Sequence, residues 1–146
     1  MGPIRFRIFF LLVAAAVSGG FFYFYAPPSP VSDVYVSGQK IAVELANTPA
    51  KRIQGLSGRN ALGQNEGMFF VFEKPDYYAF WMRDMNFKID IIWIDENKKI
   101  VDIVKNAAPE SYPEKFSPQS PAQYVLEVNA GLVDEHKINI GDRVEF

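Results

Sequence analysis

The chain has no cysteine and only one histidine, His136, among its 146 residues. The absence of thiols excludes disulfides, zinc–thiolate sites, iron–sulfur clusters and cysteine nucleophiles. A single imidazole excludes multi-histidine metal centres. Oxygen ligands could still hold calcium, but the sequence contains no D-x-[DN]-x-[DN]-G loop. We therefore predict that the protein has no metal site and no cofactor.

An excess of charge of one sign is also missing. The 15 lysine and arginine residues stand against 17 aspartate and glutamate residues, which gives a net charge of −2. The basic residues form no run of five or more. Because attraction to phosphates carries most non-specific nucleic-acid binding, this composition predicts no nucleic-acid partner.

The longest uncharged run, IFFLLVAAAVSGGFFYFY, occupies residues 8–25. Its 18 residues would span roughly 27 Å as a helix at about 1.5 Å per residue, close to the hydrocarbon thickness of a bilayer. Arg5 and Arg7 lie in the preceding segment, residues 1–7, and basic residues favour the cytoplasmic side. The run is therefore predicted to be a single-pass anchor in the inner or plasma membrane. The N-terminus would be cytoplasmic, and the C-terminal domain would be extracytoplasmic (periplasmic or extracellular).

A cleaved signal peptide is the alternative interpretation of the same segment. Small residues at 14–16 offer a cleavage site. Cleavage there would leave five consecutive aromatic residues, 21–25, close to the new N-terminus, whereas aromatic rings suit the membrane–water interface of an anchor. We prefer the uncleaved anchor, and both interpretations give the same compartment. The proline-rich residues 26–32 would form a stiff linker, and residues 33–146 a single domain.

The domain alternates short apolar segments with turn signals, and 15% of the whole chain is aromatic. Residues 89–94 are apolar on both alternating faces, which predicts a central, fully buried strand. Residues 106–121 are rich in proline and show no periodicity, so they are predicted to be a long surface excursion. About seven short strands with one or two short helices predict a mainly-β sandwich or small barrel, preceded by the transmembrane helix.

Two local signals lie near the start of the domain. Residues 37–40 separate two apolar runs and predict a hairpin turn. Thr48 is a predicted N-cap, with Pro49 at the first helical position. A short helix should therefore run from Pro49 to Gln54 and stop at Gly55.

Two carboxylates lie inside apolar runs. Asp90 is at the start of the predicted buried strand, and Glu127 lies within YVLEV. A buried charge must be paired, hydrogen-bonded or located at a functional cleft, because an unpaired one is expensive. Arg52 and Arg59 are the obvious counter-charges. Two interpretations stay open: a polar cleft that binds a ligand, or a structural salt-bridge network that holds the helix on the sheet.

Trp81 and Ser57 are the other candidates. An exposed Trp81 could stack on a flat ligand such as a sugar ring, although a core tryptophan is the alternative. Ser57 lies in GLSGR, but a nucleophile elbow needs glycine where this chain has Arg59, and His136 lies in a charged turn that is typical of the surface. We therefore assign no catalytic triad. Met85 is interpreted as a core residue.

Six blocks occur in order along the domain: 52–59 (RIQGLSGR), 67–72 (GMFFVF), 80–84 (FWMRD), 89–95 (IDIIWID), 124–131 (YVLEVNAG) and 141–142 (GD). Together they resemble the DUF192 family, small prokaryotic domains often carried behind a signal or anchor. The resemblance covers about residues 40–146. It implies a compact, mostly β domain and brings no established activity.

The chain departs from the family pattern at three places. Ser57 stands where the family usually has methionine, which argues that this position packs and does not attack. Asp84 and Met85 replace an asparagine–threonine pair, and Lys88 replaces a proline.

These features predict a membrane-anchored domain that binds a cell-envelope ligand, either a glycan fragment or a protein partner. The predicted ligand-binding residues are Arg52, Arg59, Trp81, Asp90 and Glu127. The alternative is a metal-independent hydrolase or lyase with Asp90 and Glu127 as its acid–base pair, which fails if these side chains lie on opposite sides of the sheet. A second alternative is a structural or assembly module without a cleft. We favour binding over catalysis.

Overall fold

The computed structural model describes residues 31–146. The predicted anchor at residues 8–25 and the basic segment 1–7 lie outside the described residues, as does most of the predicted linker. The first strand begins at Val31, within that linker. In the described part of the chain, no helix is both long and apolar enough to cross a membrane.

Residues 31–146 form nine strands and two short α-helices. In chain order these are β1 (Val31–Val36), β2 (Gln39–Ala46), α1 (Pro49–Gln54), β3 (Glu66–Asp76), β4 (Phe80–Trp81), β5 (Ile89–Ile94), β6 (Ile100–Ala107), β7 (Lys115–Phe116), β8 (Ala122–Asn129), α2 (Leu132–Glu135) and β9 (Val144–Glu145). Seven strands form one sheet in the order β6-β5-β8-β3-β2-β1-β9, and β4 pairs with β7 in a separate ribbon. Neighbours in the large sheet are antiparallel except for the parallel pair β2–β3. The mainly-β prediction is confirmed as a seven-stranded half-barrel with two short helices.

The large sheet curls until its two edges approach each other. Lys99 and Arg143 form an isolated antiparallel bridge between these edges. The Ile100 N–H donates to the Asp142 carbonyl at 3.0 Å, and the Val144 N–H donates to a carbonyl of the turn before β6 at 2.9 Å. These bonds satisfy backbone groups that an open edge would leave unpaired.

The concave face of the sheet carries one hydrophobic core. Every strand of the sheet contributes a buried side chain, among them Val34, Ile41, Phe69, Ile92, Ile100, Leu126 and Val144. Leu132 and Val133 of α2 pack against the same core. This side of the sheet is therefore filled with apolar side chains.

The convex face carries the second core. Strand alternation brings five buried side chains to this face, namely Met68, Phe70, Ile91, Trp93 and Val125. Leu56 of the loop after α1, Met82 directly after β4, and the ribbon residues Phe80 and Phe116 cover them. β5 is buried at all six positions, as predicted.

Both local signals are confirmed. Ser37 and Gly38 form the turn between β1 and β2 with φ values of 49° and 78°, and two positive φ values are the geometry that two-residue hairpins favour. The Thr48 hydroxyl oxygen accepts from the N–H of the third residue of α1 at 3.3 Å. The helix ends at Gly55, whose φ of 52° a residue with a side chain would adopt at a cost.

The prediction of a plain surface excursion at residues 106–121 is wrong in part. This segment contains a 3₁₀ turn at Pro109–Ser111 and the strand β7. β7 pairs with β4, so that Trp81 lies opposite Lys115. Two-residue strands are too short to produce a periodic pattern, and only the tertiary contact with the convex core stabilises them.

Thr48→Ala is expected to destabilise the protein by about 1 kcal/mol, because the Lys51 N–H loses its acceptor at the helix N-terminus. Thr48→Ser retains the hydroxyl and should recover most of the loss. Chemical denaturation of both variants measures the difference. Equal stability of Thr48→Ala and the parent would contradict a stabilising role for this cap.

Candidate functional site

Glu127 lies at the centre of the convex face. In the sheet register it stands between Met68 of β3 and Ile91 of β5. The residue is 5% exposed, and its Oε2 atom has no hydrogen-bond partner among residues 31–146. Burying a polar atom without a partner costs free energy, so such atoms are rare in folded proteins. Glu127 is therefore a candidate for function.

A pocket of about 310 Å³ opens above Glu127. Its walls are mostly apolar and aromatic, and they include Ile53, Leu56, Phe70, Phe72, Tyr78, Phe80, Trp81 and Met85. α1 and the loop after it form one wall, and β3 with the segment 77–81 forms the other. An apolar concavity with few polar groups is the usual form of a small-molecule site.

Burial raises the pKa of the Glu127 carboxyl to about 8, and the positive charge of Arg59 opposes this shift only in part. The Arg59 guanidinium forms its ion pair with Glu44, at 2.5 Å. Both partners are about one-third exposed at the outer edge of the convex face. At pH 7 the Glu127 carboxyl is therefore mainly protonated, and its O–H can donate to an acceptor in the pocket.

Arg52 and Trp81 line the pocket together with Glu127. The Arg52 Nη1 donates to the Val71 carbonyl at 2.8 Å, and its guanidinium carbon lies 5.2 Å from the centre of the Phe72 ring. Trp81 is 40% exposed, so it is not a core tryptophan. The structure thus brings three of the five predicted site residues to one concavity.

Asp90 lies outside this pocket. In the pairing of β5 with β8, Asp90 stands opposite Val128 while Ile91 stands opposite Glu127. Because successive side chains of a strand lie on opposite faces, the Asp90 and Glu127 carboxyls lie on opposite sides of the sheet. The predicted acid–base pair is therefore not formed, and Asp90 does not line the pocket.

The Asp90 carboxylate is held entirely by backbone groups. Its Oδ1 accepts from the Asn106 N–H at 2.8 Å, and its Oδ2 accepts from the N–H groups of Gly131 and Val133 at 3.0 Å each. Asp90 is completely buried. These bonds tie β6 and the start of α2 to β5, so the role of Asp90 is structural.

The predicted salt-bridge network is not formed either. In the described part of the chain, Arg59 pairs with Glu44 and not with Asp90, and Arg52 forms no ion pair. The Ser57 hydroxyl donates to the Arg83 carbonyl at 2.8 Å, which matches the prediction that this position does not attack. No group of three or more His, Cys, Asp or Glu side chains that could hold a metal occurs within residues 31–146.

Most of the pocket walls could not be recognised from the sequence. No sequence signal marks Phe70 and Phe72 as pocket residues, and Met85, which packs in the convex core as predicted, also lines the pocket. Alternation along β3 does place Met68, Phe70 and Phe72 on one face. The register that aligns this face with Glu127 depends on the pairing of β3 with β8, which strand patterns alone do not specify.

The fold and the site define the class of protein: a small half-barrel domain with an apolar pocket above a buried carboxyl group. The chain belongs to the DUF192 family (Uncharacterized ACR, COG1430), which matches residues 33–146. The resemblance carried by the six sequence blocks is thereby confirmed.

Three archaeal relatives are named UPF0127 proteins. Those from Thermococcus sibiricus and Thermococcus kodakarensis are 29% and 30% identical over 111 residues, which is 71% of this chain and 65% and 64% of their own lengths. The chain therefore spans just under two thirds of these relatives. The Pyrococcus furiosus relative is 27% identical over 112 residues, 73% of this chain and 88% of its own length.

Two solved structures have the same fold. A protein of unknown function from Novosphingobium aromaticivorans is 35% identical with a TM-score of 0.75, covering 84% of this chain and 94% of its own. A protein from Sinorhizobium meliloti, named as a candidate transcription regulator, is 32% identical with a TM-score of 0.77, covering 82% and 96%. Both solved chains consist almost wholly of this fold, so we expect residues 31–146 to fold on their own.

Proposed function

We propose that this protein is a ligand-binding domain of the cell envelope, held at the membrane through residues 8–25. Its pocket takes the apolar or aromatic part of a ligand, and the protonated Glu127 donates a hydrogen bond to an acceptor on that part. The observation that carries this proposal is the Glu127 carboxyl group, which lines an open apolar pocket while its buried Oε2 has no hydrogen-bond partner among residues 31–146. A ligand acceptor would offset part of the cost of burying this carboxyl group.

The pocket volume limits what can enter. An engineered apolar cavity of about 150 Å³ binds benzene, so about 310 Å³ admits one aromatic ring with a short substituent. A hydroxyl-rich sugar ring fits poorly, because its hydroxyls would lose water against apolar walls without gaining partners. The sequence predicted a glycan fragment or a protein partner, and the pocket leads us to favour a ligand with an apolar or aromatic group over the glycan fragment.

The other functions have less support. Hydrolysis with the Asp90–Glu127 pair lacks its geometry, since these carboxyls lie on opposite faces of the sheet. A purely structural module gives no reason for an open pocket above an unpartnered carboxyl. Transcriptional regulation, the name given to the Sinorhizobium relative, is not favoured by a net charge of −2.

Acetophenone, which has a carbonyl acceptor, is expected to bind residues 31–146 more tightly than isopropylbenzene, which has a similar size and no acceptor. Affinity should be constant below about pH 8 and then fall about tenfold per pH unit, because the Glu127 pKa near 8 removes the donor proton. Glu127→Gln keeps an N–H donor and should bind without this pH dependence. Titration by NMR, followed through the amide signals of Phe70 and Trp81, measures these affinities.

Glu127→Leu, the control variant, removes the hydrogen-bond donor. It should bind acetophenone no more tightly than isopropylbenzene. A benzylammonium probe tests the opposite polarity. Tighter binding of this cation than of acetophenone at pH 6, where the Glu127 carboxyl should be protonated, would mean that Glu127 acts as a carboxylate, and the proposed donor role would be wrong. Absence of binding by all three probes at millimolar concentration would reject the pocket as a ligand site.

A further inference from the structure

A second depression of about 270 Å³ lies beside the pocket. It is lined by Arg52, Ile53, Ala79, Trp81, Arg83 and Lys115, and we call it the basic shelf. Its lining holds three cationic side chains and no acidic one, in a protein whose net charge is −2. Positive charge is therefore concentrated here against the overall balance of the chain.

Trp81 organises the basic shelf. The Arg83 guanidinium carbon lies 5.0 Å from the centre of the indole, and the Lys115 Nζ lies 5.4 Å from it. The pairing of β4 with β7 puts Lys115 opposite Trp81, and the Tyr112 ring packs edge-on at 5.8 Å. Cation–π contacts hold both cations against the same indole ring without neutralising them.

The cations of the basic shelf have almost no counter-charge. Among residues 31–146, neither Arg52 nor Lys115 forms an ion pair. Within the same residues, Arg83 forms an ion pair only with its neighbour Asp84, at 3.7 Å, and its Nε has no hydrogen-bond partner. A bound anion would supply the missing counter-charge and accept hydrogen bonds from the guanidinium and ammonium groups of the basic shelf.

The basic shelf and the pocket are continuous. Arg52, Ile53, Ala79 and Trp81 line both concavities. A molecule with its apolar end above Glu127 would therefore pass Arg52 and Trp81 and extend onto the basic shelf. Arg52 in particular is placed to contact both the apolar body and a charged group beyond it.

We infer that the basic shelf binds an anionic head group, a phosphate or a carboxylate, carried by the same molecule whose apolar body occupies the pocket. This inference rests on the proposed function, because it treats the pocket as the site of the apolar body. The ligand class is then an anionic amphiphile. Such a molecule could be free in solution or could be a lipid of the adjacent bilayer, and the two sources share this chemistry.

The test uses residues 31–146 and a matched pair of ligands, 4-(3-hydroxypropyl)acetophenone and its phosphate monoester. The ester is expected to bind about tenfold more tightly in low salt, and this gain should shrink as salt is added. Lys115→Gln and Arg83→Gln should each remove much of the gain and leave the neutral ligand unaffected. Lys88→Gln removes one exposed cation that lines neither concavity, so it should change nothing.

The outcomes distinguish failure of the basic-shelf inference from failure of the proposed pocket function. If the two ligands bind equally tightly, the inference is overturned and the pocket function stands. If neither binds, the proposed function fails and the inference fails with it. If the gain persists in Lys115→Gln and Arg83→Gln, the anion lies elsewhere and the basic shelf is rejected.

Sedimentation with vesicles distinguishes the two sources of the head group. A lipid source is indicated if phosphatidylglycerol vesicles retain the parent domain but not Lys115→Gln. Phosphatidylcholine vesicles should then retain neither protein. Retention by neither vesicle, with tight binding of the phosphate monoester, would assign a free amphiphile. Equal retention of the parent and Lys115→Gln would count against the basic shelf.

Discussion

Asp90→Asn is expected to lower the melting temperature by at least about 10 °C. The carboxylate accepts three backbone N–H groups in the interior, from Asn106, Gly131 and Val133. An asparagine offers one acceptor oxygen and turns an NH₂ group toward donors that need an acceptor. Losing charge-assisted bonds and burying unsatisfied donors should lower the free energy of unfolding by about 3 kcal/mol. For a domain of this size, each kcal/mol lowers the melting temperature by roughly 4 °C.

The local geometry explains why one side chain has this much effect. β6 has an irregularity opposite Asp90, since Ile89 pairs with Ala107 and Ile91 pairs with Val104. Two residues of β6 therefore oppose one of β5, as in a β-bulge. The Asp90 carboxylate accepts the N–H of the bulged Asn106 and joins it to the turn that starts α2.

Asp134→Asn is the matched control, because Asp134 lies in α2 and forms an exposed ion pair with Lys105. Such pairs contribute at most about 1 kcal/mol, so its melting temperature should change little. Thermal unfolding of residues 31–146 with both variants decides the matter. The expected difference in melting temperature between the two variants is about 10 °C. A difference of less than about 3 °C would refute the structural role assigned to Asp90.

Glu127→Gln is expected to raise stability at neutral pH. The carboxyl has a pKa of about 8 in the folded protein and an ordinary value of 4.5. Between these values the unfolded chain releases a proton that the folded chain retains, so stability falls as the pH rises through this window. At pH 7 the cost is about 3 kcal/mol, and glutamine, which does not titrate, should remove most of it.

The pH dependence separates this cause from a simple packing change. The stability gain of Glu127→Gln should be small at pH 4, grow steadily to about pH 8, and be constant above that. Denaturation curves at five pH values measure it, with Glu44→Gln as a control at the outer edge of the convex face. A variant that is less stable than the parent at pH 7, or a gain that does not change with pH, would contradict the buried, proton-retaining carboxyl.

Together the two variants assign opposite roles to two carboxylates that look alike in the sequence. Both lie in apolar strands, and either could be structural or functional on that pattern alone. Both carboxylate oxygens of Asp90 accept backbone N–H groups, whereas Glu127 Oε2 has no hydrogen-bond partner among residues 31–146. Keeping a residue that lowers stability is typical of functional sites.

Much of the fold could be predicted from local patterns. The turn at Ser37 and Gly38, the capped helix α1 and the buried strand β5 depend on neighbouring residues, and all three are present. Strand β7 and its pairing with β4 could not be predicted, because contacts between distant segments stabilise these two-residue strands. The membrane anchor at residues 8–25 stays a prediction, since it lies outside the described residues.

The candidate site could be predicted in part. Arg52, Trp81 and Glu127 meet at one pocket, but Arg59 is paired with Glu44 and Asp90 lies on the other face. Residue type indicated which side chains carry chemistry. It could not indicate which of them share a face, because a shift of one residue in strand register moves every side chain to the opposite side.

The sequence by itself determined the family, the mainly-β class, and the exclusion of thiol and multi-histidine chemistry. These follow from composition and from contacts between near neighbours along the chain. Only the tertiary structure decided that Glu127 lines an open pocket and that the Asp90 carboxylate accepts hydrogen bonds from three backbone N–H groups. The same holds for the contacts of Lys115 and Arg83 with the Trp81 ring. The physical reason is that each of these facts depends on the register between strands far apart in sequence, and that register is set by the packing of the whole core.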